Sequence, residues 1–189
     1  MSSIKLQGST SGEITISAPA VAGTNTLTLP AKTGTIQTTS DIEVDMWRLN
    51  TAITTNSDPI TTGFERVDDA SFAKIGTGMS VSSGIWSFPR TGLYEVKCQV
   101  TIAPVNDSDN IVWQVYVTED NGSNFDEVTR AVGSDPEVTV YTQNFFNVTD
   151  ISTHKLKFRV NSINTGGQVS GSSSVNFTCM SFIRLGDSQ

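Results

Sequence analysis

The sequence is short of the groups from which active sites are usually built. Among 189 residues there is one histidine, His154, and there are two cysteines, Cys98 and Cys179. No Gly-x-Ser-x-Gly turn or other nucleophile motif accompanies His154, so a Ser/His hydrolase pattern is excluded and the imidazole reads as one in an exposed loop. Neither cysteine has a second thiol or a histidine at ligand spacing, which argues against a metal site. No window approaches the apolar length of a membrane span, and the start Met1-Ser2-Ser3-Ile4-Lys5 lacks the apolar run of a signal peptide. The expectation is a soluble chain, made in the cytosol, with no membrane partner. Charge is scarce as well: only 16% of residues are charged, with 12 Lys and Arg against 19 Asp and Glu, a net charge of -7. An acidic balance of this kind repels phosphate backbones, so nucleic acid is not an expected partner.

What the chain does have is alternation of period two. After Gly92, Tyr94, Val96, Cys98, Val100 and Ile102 fall on one side of an extended strand, and Glu95, Lys97, Gln99 and Thr101 on the other. Similar runs predict strands near residues 44–55, 62–67, 72–81, 84–88, 92–103, 110–119, 124–130, 137–148, 154–161 and 173–185, separated by Gly, Asn, Asp and Pro turns. With no helix of useful length, this spacing predicts an all-β fold, an antiparallel jelly-roll sandwich over residues 40–189. Cys98 and Cys179 lie in apolar alternating runs and read as buried reduced thiols, with a disulfide open to them if their strands are neighbours. Lys155, Lys157 and Arg159 form a basic stripe opposite Leu156, Phe158 and Val160, as on an edge or surface strand guarded by lysine. In the last strand Val175, Phe177, Cys179 and Ile183 read as the core face, yet Met180 and Phe182 make the other face apolar too. A strand apolar on both sides is either central and covered or lies at a subunit interface, and the interface is the expectation here.

Residues 1–39 differ in kind. They contain no aromatic residue and no cysteine, and consist of short Thr-rich strands: Glu13-Ile14-Thr15-Ile16, Thr26-Leu27-Thr28-Leu29 and Gly34-Thr35-Ile36-Gln37. Ile14, Ile16, Leu27, Leu29 and Ile36 give each piece one thin apolar edge, too little to close a core alone. Such a segment needs identical chains wrapped around it or a docking partner. It therefore reads as a small β-strand anchor for attachment or trimerisation.

Carboxylates recur as Asp68-Asp69, Asp107 with Asp109, Glu119-Asp120 and Asp126-Glu127, at turns and strand ends where Asp is favoured for local backbone hydrogen bonding rather than acid/base work. The loop Asn106-Asp107-Ser108-Asp109-Asn110 offers oxygens that could meet calcium, but lacks the Gly and distal Glu of a helix-loop-helix site. No catalytic residue and no cofactor is expected, and the protein reads as not an enzyme.

The run from Gly12 to Thr35, Gly-Glu-Ile-Thr-Ile-Ser-Ala-Pro-Ala-Val-Ala-Gly-Thr-Asn-Thr-Leu-Thr-Leu-Pro-Ala-Lys-Thr-Gly-Thr, resembles a segment of tail-fibre and other virion proteins of tailed bacteriophages. Downstream, Trp47-Arg48-Leu49, Phe64-Glu65-Arg66-Val67-Asp68, Ile75-Gly76-Thr77-Gly78-Met79 and Ser83-Gly84-Ile85-Trp86-Ser87-Phe88-Pro89 before Thr91-Gly92-Leu93-Tyr94 resemble phage sequences related to tumour necrosis factor (TNF) and the globular heads of the first complement component. The resemblance implies a TNF-like jelly roll and a homotrimer, with Tyr94, Met180 and Phe182 near the threefold axis. It implies a structural protein of the virion surface, partnered by a phage capsid or tail protein. Two placements follow: a capsid decoration or head fibre, or a tail-fibre tip that binds a host-surface glycan or protein.

Overall fold

A computed structural model describes residues 3–17, 24, 41–105, 110–134 and 137–189. Strand is the regular structure throughout, and no α-helix occurs among these residues. The chain divides into two compact units, Met1–Ile36 and Gln37–Gln189.

The smaller unit contains a hairpin of β1 (Ser3–Gln7) and β2 (Glu13–Ser17), paired antiparallel. Its loop is closed by the Gly8 N–H, which donates to the Gly12 carbonyl at 2.9 Å, and Gly12 takes a φ of 81° that favours glycine. The strands expected around Leu27, Leu29 and Ile36 lie outside the described residues.

The larger unit contains β3 (Val44–Leu49), β4 (Phe64–Arg66), β5 (Ser80–Ser82), β6 (Ile85–Ser87), β7 (Gly92–Ala103), β8 (Asn110–Thr118), β9 (Asp126–Ser134), β10 (Val138–Val148), β11 (Lys155–Asn161), β12 (Gln168–Val169) and β13 (Cys179–Gly186). One sheet runs β10-β7-β13-β3-β4, with β12 added alongside β7; the other runs β5-β6-β11-β8-β9. All these pairings are antiparallel, and chain neighbours repeatedly lie in different sheets, as in a jelly roll.

The strands depart from the sequence expectation where other forces override alternation. The run 72–81 is strand only at β5, because Gly76 and Gly78 take positive φ of 78° and 75°. The N–H groups of Gly78 and Met79 there donate to the Glu43 and Asp45 carboxylates, at 2.9 and 2.8 Å. A Cβ on Gly78 would lie 2.6 Å from Asp45 Oδ2, so the loop can approach the buried acid only as glycine. The last strand begins at Cys179 rather than near 173, since the Ser172 N–H donates to Leu49 O and the Phe177 N–H turns back on Val175 O. Strand β11 is interior to its sheet, not an edge. Its basic residues are compensated from above: Lys157 Nζ lies 2.7 Å from Asp58 and 4.7 Å from the Phe125 ring centre, and Arg159 donates to the Tyr116 hydroxyl at 3.1 Å.

Trp86 on β6 joins the two sheets. Its fully buried ring lies 5.1 Å from Trp47 on β3, 5.0 Å from Phe64 on β4 and 5.3 Å from Phe182 on β13. On its own sheet it meets Phe158 at 5.5 Å, and Phe158 in turn stacks on Trp113 at 5.3 Å. Edge-on and stacked arrangements of this kind add to the area the rings bury. Trp86→Ala is expected to cost about 3–5 kcal/mol of folding stability, measured by urea unfolding. A loss comparable to that of an exposed-site change would show that the sheets are joined elsewhere.

Candidate interaction surfaces

The register decides which side chains can meet a partner. Met180 pairs across with Trp47 and Cys98, and Phe182 with Val96, so both point between the sheets with Tyr94. Their exposures are 0%, 1% and 1% for Met180, Phe182 and Tyr94. The expected placement of these three at a subunit interface is therefore corrected: they belong to the core of a single chain. Both faces of residues 173–185 are apolar in sequence, and the irregular stretch before Cys179 breaks the phase that made Val175 and Phe177 look internal; both are exposed. The Tyr94 hydroxyl donates to Arg90 O at 2.9 Å, and burial, helped by the Glu43 charge, pushes its pKa up to about 12.

The opposite parity faces outward. Across β10, β7 and β13 the rows are Tyr141–Gln99–Cys179, Gln143–Lys97–Ser181 and Phe145–Glu95–Ile183. Tyr141 is 69% exposed and Phe145 58%, two uncovered aromatic rings on one strand, with Lys97 paired to Glu95 at 3.1 Å between them. A groove of about 510 Å³ runs along this edge of the sandwich, bounded by Phe145, Val128, Val117, Glu119 and His154. The other end of the same sheet face is closed. Arg48, 1% exposed, stands beside Cys179 in register and is held by Glu65 on β4 and by Asp68 and Asp69 from the segment that follows it. Sequence reasoning missed Tyr141 and Phe145, although both sit on the polar parity of the 137–148 strand with Thr139, Gln143 and Asn147. That displacement from the apolar side was the available signal.

In the hairpin, Ile4 pairs with Ile16 and Leu6 with Ile14, which sets all four on one face. Ile14 and Ile16, expected in the anchor, are 68% and 48% exposed. The opposite face carries Lys5 and Glu13, joined at 2.8 Å.

The remaining polar groups are engaged in local structure. His154 is half-buried at a turn, its Nδ1 3.0 Å from Asp150 O. Glu127 accepts from Gln114 and Tyr116 and pairs with Arg130. Asp120 accepts from Thr118 and from the Asn124 N–H, bonds that pull its pKa down to about 2. Arg184 ties three segments together, donating to Thr91 O and Asp41 O at 2.8 Å and pairing with Asp187. Among the described residues no three His, Cys, Asp or Glu side chains are grouped to hold a metal ion. Asp107 and Asp109 lie outside the described residues.

No protein-family model and no curated protein sequence matches the chain. Solved structures do. The crystal structure of murine APRIL at pH 5.0 superposes with a TM-score of 0.56 at 14% identity, covering 76% of this chain and 99% of that one. The structure of Eiger TNF from S. frugiperda does so with a TM-score of 0.61 at 13% identity, covering 79% and 96%. The fold is a TNF-like antiparallel jelly roll. At such identity the likeness extends to the fold and no further.

Cys98 and Cys179 lie on the neighbouring strands β7 and β13, but Cys179 pairs with Gln99 while Cys98 pairs with Met180, so the two thiols point to opposite faces. Both are free and buried. Burial pushes Cys98 up to about 12 and raises Cys179 as well. Because the folded pKa of Cys98 is raised, its contribution to stability is full below the unfolded thiol's ordinary value near 9 and is lost as pH rises from there toward about 12. Thiol titration of the native protein at neutral pH is expected to find no fast-reacting group, and two after unfolding. A disulfide detected by mass spectrometry would overturn this register.

Proposed function

We propose that this protein is a non-enzymatic structural component of the surface of a tailed-bacteriophage virion, a homotrimer whose N-terminal unit attaches to the particle and whose knob decorates the capsid. The observation that carries the reading is a division of labour within the chain. The knob buries its own aromatic core within Gln37–Gln189, while the β1–β2 hairpin of the other unit leaves its apolar face bare. A segment that cannot bury its own apolar residues needs another surface to lie against, a sibling chain or the particle, rather than folding independently. The resemblance of residues 12–35 to virion-protein segments of tailed phages supplies the setting. Because that resemblance includes tail fibres, it favours a second placement, a fibre tip on which the same knob binds a host-surface glycan or protein. Density on capsid axes or at the tail in a reconstruction of the intact particle separates the two.

The trimer contact belongs on the open part of the six-stranded sheet. Tyr141 and Phe145 there are large rings without cover, and a cyclic assembly that packs this face on the next copy removes them from water. Light scattering is expected to give about three times the 20.3 kDa chain mass. Phe145→Lys is expected to yield a folded single chain with little change in knob melting, whereas Phe182→Lys, placing a charge against Trp86, abolishes folding. A wild-type monomer at micromolar concentration rejects the trimer. An unchanged Phe145→Lys trimer moves the contact to another face.

Deleting residues 1–39 is expected to leave the knob folded, with its thermal melting transition retained, and to abolish incorporation into particles that lack the protein. Incorporation of the truncated chain at full-length affinity would transfer attachment to the knob.

A further inference from the structure

The geometry points to a specific occupant for the bare face of the N-terminal hairpin: the same face of sibling chains. The four aliphatic side chains Ile4, Leu6, Ile14 and Ile16 are 62%, 53%, 68% and 48% exposed, and cross-strand register places them together. Two strands of five residues with no covered face do not hold together well in water, so something must lie against them.

Charge and area select the occupant. The hairpin's two charged groups, Lys5 and Glu13, neutralise each other on the far face, leaving the apolar face uncharged. Two such faces can meet without desolvating an ion, and a partner bearing charge would lose solvation without compensation. Four half-exposed aliphatics present on the order of 400 Å², about half of what each partner contributes to a standard free-standing interface. A contact of this size is weak between free chains and gains most from tethering. Chains joined through their knobs supply that tether, because linked modules meet at effective concentrations in roughly the millimolar range. The inference rests on the trimeric reading of the knob. It makes the hairpin a homotypic clamp and leaves attachment to the particle to the rest of residues 1–39.

The test uses the full-length protein with a single added thiol, the native Cys98 and Cys179 being buried. Leu6→Cys places the thiol on the apolar face and Lys5→Cys on the polar face. Under mild oxidation Leu6→Cys is expected to form inter-chain disulfides at least about tenfold faster than Lys5→Cys, as proximity of the reacting sulfurs requires. In parallel, Ile14→Asp is expected to leave the knob melting transition and the trimer mass unchanged while the β1 amides lose protection from hydrogen exchange. Equal cross-linking of the two variants, or none, in a protein that still scatters as a trimer overturns the clamp and leaves the trimer standing. Cross-linking of Leu6→Cys to a particle protein instead of a sibling chain also overturns it. A protein that scatters as a monomer fails the trimeric reading itself, and the clamp with it.

Discussion

The interior of the knob is organised by the contact of Trp86 with rings from the opposite sheet. Strand β6, which carries it, is three residues long, and so is β5 beside it, so backbone pairing alone fixes little at that end of the sandwich. The indole compensates by meeting β3, β4 and β13 at once. Phe158 and Trp113 extend the same aromatic layer across the five-stranded sheet. With that layer in place, the parity of every strand that touches it is set, and each outward face follows by the period of two.

Parity then determines what is left to interact. On the six-stranded sheet the Arg48 cluster closes one end of the outer face, and the stretch around β10 stays open with Tyr141 and Phe145. On the five-stranded sheet Asp58 and the Tyr116 and Phe125 rings compensate Lys157 and Arg159 of β11, while Lys155 donates to Ile151 O, so that face carries no unopposed row of positive charge. The exposed rings of Tyr141 and Phe145 accordingly share one face of the six-stranded sheet.

The fold class was legible because its signal is redundant. The 92–103 strand announces itself by a strict alternation between a Gly turn and a polar loop, and it is observed over those residues. The TNF-like sandwich needs only several such strands in the right number. The site was less legible because it depends on phase. From 173 to 185 both parities carry apolar residues, so one-dimensional pattern assigns the inside and outside of β13 no better than arbitrarily, and hydrogen bonds distant in sequence, such as Ser172 to Leu49, decide it. The loop at Gly76 and Gly78 escaped for a related reason. Its partners, Glu43 and Asp45, are acids that a pattern based on burial of apolar groups assigns to the surface.

The opposed orientation of Cys98 and Cys179 has a consequence for the knob as a material. Two thiols on adjacent strands that cannot reach each other allow no internal cross-link, so the chain connectivity is the same in a reducing medium and in an oxidising one. A protein assembled inside a cell and then exposed to air or to another cell's exterior would pass between those media with its covalent structure unaltered. Its durability would rest on packing, hydrogen bonds and ion pairs alone.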